Sequence, residues 1–198
     1  MLGGYGMSHF YAMMSRMKYI ERWALMRNSY PENISEHSLE VAMLAHALAV
    51  ISNKRFKNTL NTDRAALIGL FHDSTEIITG DMPTPIKYYN KDIQGAFKEI
   101  EKNAANQLLS MLPEDIREEY EKLFFLTEEE EYLGRLVKAA DKLSALIKCI
   151  EEKKAGNSEF DSARITIEAA LHEMNLPEVE LFMEEFLPSY YKTLDELR

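Results

Sequence analysis

An imidazole and a carboxylate stand side by side at His72-Asp73, closing the apolar run Ala66-Leu67-Ile68-Gly69-Leu70-Phe71. Such a pair invites a divalent cation. Glu76 lies four residues from His72 and three from Asp73, so on a helix all three serve one end of one surface. His72 and Asp73 differ by about a hundred degrees of rotation, and both reach one ion only if it lies between them. Taken alone, the dipeptide reads better as a solvated helix end. Two distant residues change the balance. His37, in Ser35-Glu36-His37-Ser38, begins the most apolar segment of the chain, where a surface histidine has no obvious purpose; alone, it fits a satisfied helix-start residue equally well. Asp141 is bordered by Ala140, Leu143, Ser144 and Ile147. An acid beside a core stripe either pairs with a cation or binds a metal, because unpaired burial is expensive; alone, a salt-bridged edge residue describes it better.

The elements that must position these groups have helical periodicity. Residues 7–20 place Phe10, Met13, Met14 and Met17 on one amphipathic face. Residues 34–51 are apolar on most sides and predict a central helix, with Asn33 and Glu36 as a capping-box-like start and Ser35 as a competing cap. The spacing predicts a helix over 62–78, capped by Thr62 or Asp63 and ended by Gly80, then a loop enforced by Pro83 and Pro85. Further helices are expected over 91–111, from Pro113 to about 125, over 128–154 behind the cap Thr127 with Glu130, over 160–175 and over 178–197. No alternating strand run or internal repeat occurs. The expectation is one all-α domain over 7–198, preceded by a flexible Gly-rich extension at 1–6.

Composition narrows the function. With 46% hydrophobic and 28% charged residues the 198-residue chain suits a folded domain with a real core. A formal net charge of −10 disfavours a nucleic-acid polymer, whose affinity rests on neutralised phosphates, while a cleft with a cation and one or two Arg or Lys still accepts a small anion. The single cysteine, Cys149, forms no internal disulfide, no run approaches 18 apolar residues, and the first residues lack the basic and apolar regions of a signal peptide, so a cytoplasmic protein off the membrane is expected.

The ordered quartet His37, His72-Asp73 and Asp141 in an all-helical setting resembles the HD-domain metal-dependent phosphohydrolases. Five separated blocks go further: Arg22-Trp23, Glu36-His37-Ser38-Leu39, His72-Asp73-Ser74-Thr75-Glu76, Gly80-Asp81-Met82-Pro83-Thr84-Pro85-Ile86-Lys87 and Lys138-Ala139-Ala140-Asp141. Together they resemble the bacterial 5'-deoxynucleotidases of the YfbR type, from Met7 onward. The resemblance implies a single HD-domain helical bundle in which His37, His72, Asp73 and Asp141 hold one divalent ion. Two nitrogens and two carboxylates suit Co²⁺ or Mn²⁺, with Zn²⁺, Fe²⁺ or Cu²⁺ as alternatives, better than the oxygen-seeking Mg²⁺ or Ca²⁺.

By the same resemblance Glu76 is the acid/base acting on the nucleophilic water, against the plain alternative of orienting a metal-bound histidine. Arg22, a planar fork of donors that stays charged, anchors the phosphate. Trp23, the lone tryptophan, crowds the 2' position of the sugar so that deoxyribose fits. Asp81, Met82, Pro83 and Thr84 face the sugar or phosphate end of the nucleotide, together with His37, Asp73 and Asp141. The implied reaction removes phosphate from deoxyribonucleoside 5'-monophosphates, in a homodimer. The alternatives are an HD phosphohydrolase acting on a triphosphate, a cyclic nucleotide or an alarmone, and a non-catalytic nucleotide-binding regulatory module. Lys87 and the remaining histidines, His9, His46 and His172, stand outside the expected site.

Overall fold

The computed structural model describes residues 7–87 and 89–198, so the extension expected at 1–6 lies outside the described residues. Among the described residues ten α-helices follow one another: α1 (Phe10–Met14), α2 (Ile34–Arg55), α3 (Thr62–Phe71), α4 (Glu76–Thr79), α5 (Thr84–Lys87), α6 (Lys91–Ser110), α7 (Glu114–Phe124), α8 (Glu131–Lys154), α9 (Asp161–Glu173) and α10 (Pro177–Glu185). Short 3-10 turns at Ser15–Tyr19, Glu128–Glu130, Leu187–Tyr191 and Leu194–Leu197 extend or join them. Among the described residues the only extended pairing is an isolated antiparallel bridge between Glu21 and Asn33. The all-α expectation holds.

The centre is α2, with α3 and α8 packed against it. Asn33 is extended and its side chain accepts the Glu36 amide at 3.1 Å, satisfying a donor that the first turn leaves unpaired. That cap puts His37 in the first turn of α2. The helix buries Val41, Leu44, Ala45 and Leu48 against Leu136, Ala140, Leu143 and Ile147 of α8 and Ala65 and Ile68 of α3. It is long and apolar enough to cross a membrane by length and composition, and its burial against these neighbours is that of a core helix. Its apolar character is not all buried, because Leu39 and Met43, one turn apart, are exposed. A second cluster of Phe10, Leu108, Leu109 and Leu112 ties α1 to α6, with Tyr120 of α7 alongside.

Four local expectations need correction, the first being that the helix expected over 178–197 ends at Glu185 and gives way to 3-10 turns at Leu187–Tyr191 and Leu194–Leu197. Asn61, not Thr62 or Asp63, caps α3, its side chain accepting the Arg64 amide at 2.9 Å. The α3 helix stops at Phe71 instead of running to 78: residues 72–75 tighten into i to i+3 turns, Ser74 N bonding Phe71 O at 3.1 Å while the Ser74 hydroxyl donates to the same carbonyl at 2.6 Å. The Pro83–Pro85 segment is not pure loop. Thr84 starts the single-turn α5, with Pro85 in the first turn, where a missing amide costs nothing.

Gly69 explains how closely α3 meets α2. A Cβ placed there would lie 3.0 Å from Ala42 Cα and 3.1 Å from Val41 O, so glycine lets the two backbones approach to this distance without either giving way. His72 follows three residues later. The spacing of α2 and α3 therefore sets the spacing of the two histidines, whose rings are 5.2 Å apart.

Candidate metal centre

Three elements converge on one point. His37 comes from the start of α2, His72 and Asp73 from the tight turn after α3, and Asp141 from the middle of α8. One nitrogen or oxygen of each lies within 4.8 Å of the others. Donors about 2.1 Å from a single ion are at most roughly 4.2 Å apart, so the cluster needs to contract by only a few tenths of an ångström to ligate one. His37 is fully buried, and Nε2 of both His37 and His72 is buried without a hydrogen-bond partner. These nitrogens sit 3.1 to 3.4 Å from Asp73 Oδ2 and Asp141 Oδ1, within ion-pair range but without hydrogen-bond alignment. Unpaired buried polar atoms aimed at a common point are what a cation would satisfy. The residues fit a divalent ion.

The second nitrogen of His72 is fixed by the backbone. Nδ1–H donates to Gly69 O at 2.7 Å, leaving the Nε2 lone pair to face the cluster. Electrostatics reinforce the grouping. Burial alone would raise the Asp73 carboxyl, yet His72 and His37 pull it well below its ordinary value; Asp141, also opposed by burial, is lowered chiefly by its contact with His37. His72 responds in the opposite sense, with Asp73 outweighing burial and raising it.

Glu76 opens α4 and is 6% exposed, with Oε2 unpaired. Burial, with the negative charges of Asp73 and Asp81 added, pushes its carboxyl up to about 9, so with the neighbouring carboxylates uncompensated it holds a proton at neutral pH. Asp81 is raised as well, mainly by burial, against the pull of Arg22. Lys87, left outside the expected site, pairs with Glu101 at 2.8 Å, and its field reaches Glu76 and Asp73.

Arg22 and Trp23 reach the cluster on a loop closed by Arg22 N to Glu32 O at 2.9 Å and Ile34 N to Ile20 O at 3.0 Å. Arg22 Nη1 donates to Glu32 Oε2 at 2.7 Å, and Nη2 lies 3.7 Å from Asp141 Oδ1. Burial works against the Arg22 charge, but Glu32, Asp141, Asp73 and Asp81 together hold its pKa up. Trp23 has a φ of 60°, a left-handed conformation uncommon for a bulky residue and a sign of imposed strain. Its Nε1 donates to the same Glu32 oxygen at 2.9 Å, and its ring packs on Phe160 with centroids 5.2 Å apart. Glu32 thus orients both residues, a role no sequence signal marks. Asp81 shares this corner, where the Arg22 charge and the Trp23 backbone favour its carboxylate, and Met82 and Pro83 follow it half-buried. Thr84 is exposed at the start of α5. His46 is exposed, and His172 pairs with Glu180 at 2.8 Å on another face.

Against known proteins, the chain matches the family described as 5'-deoxynucleotidase YfbR-like over residues 9–190. A 5'-deoxynucleotidase of Vibrio parahaemolyticus is 49% identical over 190 residues, covering 96% of this chain and 98% of that protein. The fold is similar to that of an HD-domain phosphohydrolase from Listeria innocua, with a TM-score of 0.79, 23% identity and coverage of 92% of this chain and 88% of that one. It is also similar to a cyanophage S-2L HD phosphohydrolase solved with dA and one catalytic Zn²⁺ ion, with a TM-score of 0.62, 21% identity and coverage of 92% and 96%. Geometry and kinship agree: with the fold of an HD-domain phosphohydrolase, the chain belongs to the 5'-deoxynucleotidase YfbR-like family.

Proposed function

We infer that this protein is a metal-dependent 5'-deoxynucleotidase, hydrolysing deoxyribonucleoside 5'-monophosphates to deoxynucleoside and phosphate. Within its family, the observation that carries the reading is the cluster of four donors within 4.8 Å, two of them imidazole nitrogens with no protein partner. His37, His72, Asp73 and Asp141 would hold the ion. A mixed nitrogen and oxygen set favours Co²⁺ or Mn²⁺ and also accepts Zn²⁺, Fe²⁺ or Cu²⁺. Such an ion supplies a polarised phosphoryl oxygen and a water of lowered pKa.

Charge balance supports the same view. Asp73, Asp81, Asp141 and Glu32 surround the one guanidinium of Arg22. A phosphate dianion entering that field is repelled unless a divalent charge offsets the carboxylates. Arg22 then binds the phosphate oxygens through Nη2, the nitrogen on the Asp141 side. Glu76, on the adjacent wall, holds or moves the proton at Oε2 during attack on phosphorus and departure of the 5' oxygen. Trp23, held rigid by Glu32 and Phe160, limits room at the 2' position, and Asp81 with Met82, Pro83 and Thr84 borders the sugar. Residues 7–198 act as one domain, working as a homodimer in the cytoplasm.

The direct test is phosphate release from paired deoxy- and ribonucleoside 5'-monophosphates with Co²⁺, Mn²⁺, Zn²⁺, Mg²⁺ or a chelator. The expected result is turnover of the deoxy member, restored by transition metals after chelation. Faster turnover of a ribonucleotide, a triphosphate or a cyclic nucleotide overturns the substrate assignment.

A further inference from the structure

Behind His37, on the side away from the donor cluster, lies a hydrogen-bonded pair with no part in the reaction as described so far. Ser144 is fully buried on α8, one turn beyond Asp141, and its Oγ is 3.0 Å from His37 Nδ1. The same hydroxyl donates to Glu40 Oε2 at 2.6 Å, and Glu40 is one turn beyond His37 on α2. Its only proton is spent on Glu40, so Ser144 Oγ faces the imidazole as an acceptor. A second neighbour makes the opposite demand. Arg22 Nη1 lies 2.8 Å from the same Nδ1, and a guanidinium only donates.

A neutral imidazole has one proton for these two claims. If Arg22 prevails, Nδ1 accepts, the proton sits on Nε2, and an N–H points into the cluster, where it cannot ligate. If Ser144 prevails, Nδ1–H donates to Oγ and the Nε2 lone pair faces Asp73, Asp141 and His72. His72 faces no such choice, because Gly69 O can only accept.

We propose that Glu40, acting through Ser144, is a positioning device that holds the proton of His37 on Nδ1 and thereby makes Nε2 a metal ligand in opposition to Arg22. The proposal rests on the metal-centre reading above and assigns neither residue a contact with substrate. Partners of this kind change metal affinity by roughly ten- to a hundredfold.

Zn²⁺ affinity of the full chain, measured by competition with a chromophoric chelator, and the His37 tautomer, read from long-range nitrogen-proton NMR couplings, test it. Ser144→Ala should weaken Zn²⁺ binding by roughly ten- to a hundredfold and move the His37 proton to Nε2. Glu40→Gln should do the same to a smaller degree, since an amide oxygen is the weaker acceptor. Adding Arg22→Ala to Ser144→Ala removes the competing donor and should recover most of the affinity, which repair of a packing defect would not do. Single variants that bind Zn²⁺ within twofold of the parent protein, or a double variant as weak as Ser144→Ala, overturn the proposal. A parent protein that binds no Zn²⁺ or Co²⁺ overturns the metal-centre reading with it.

Discussion

Two polar clusters share the buried face of α8, and they are built on opposite terms. Towards the C-terminal end, Lys148 and Glu152 are almost fully buried as an ion pair. Lys148 Nζ also donates to Tyr30 O, while Glu152 accepts the Ser29 amide at 2.8 Å and Asn157 Nδ2 at 2.8 Å; Asn157 in turn donates to Arg27 O at 2.7 Å. Both charged groups of that pair are met by the protein. Around Asp141, two turns earlier, His37 Nε2, His72 Nε2 and Glu76 Oε2 are not. A satisfied buried cluster is scaffold, whereas an unsatisfied one is held open for something that comes from outside. The first serves the second, since it clamps residues 27–30 in the loop that carries Arg22 and Trp23.

The sharpest way to break this contrast is to remove one member from each cluster. Asp73→Ala should abolish metal binding and lower turnover by more than about a hundredfold, the upper range for mere supporting residues, with thermal stability in chelator unchanged or improved. Calorimetric metal titration beside thermal melting checks it. Glu76→Gln should lower kcat by roughly a hundred- to ten-thousandfold while the metal stoichiometry stays at one. A fully active Glu76→Gln removes it from the reaction.

At the satisfied end, Glu152→Ala should cost about 3–5 kcal/mol of stability by stranding the Lys148 charge, while the folded fraction keeps its metal affinity. Its pH signature has a definite sign. Glu152 is 1% exposed; burial works against its charge, but Lys148, Asn157 and Ser29 outweigh that and lower its pKa to about 2 from the ordinary 4.5. Stability from this group is complete above about 4.5 and disappears as pH falls towards about 2, a swing on the order of 3 kcal/mol that Glu152→Gln should lack in acid unfolding experiments. Smaller still, Trp23→Ala should erode the preference for deoxy over ribo substrates by roughly tenfold, the discrimination expected of steric crowding alone. Unchanged selectivity ends the sugar-gating role.

Much of this arrangement was legible because its residue types are chemically conspicuous. The quartet was visible as two imidazoles and two carboxylates in order, and Asn33 with Glu36 announced the turn that presents His37. What stayed hidden was tertiary. Asn61, Thr62 and Asp63 are comparable caps by type, and only the chain's entry angle selects Asn61. The tightening at 72–75 depends on the Ser74 hydroxyl returning to Phe71 O. Glu32, Glu40, Ser144 and Glu152 carry no motif at all, and their roles arise only where separate elements meet.

Gly69 shows how far from the donor cluster its spacing can be set. Its hydrogen stands where a methyl would press on Ala42 Cα at 3.0 Å, so α2 and α3 behave as the closed jaws of a caliper with His37 and His72 at the tips. The gauge of that caliper is the 5.2 Å between the two rings. With alanine at 69 the jaws would have to open while every donor of the cluster remains, so the reach between the two imidazoles rests on one missing carbon.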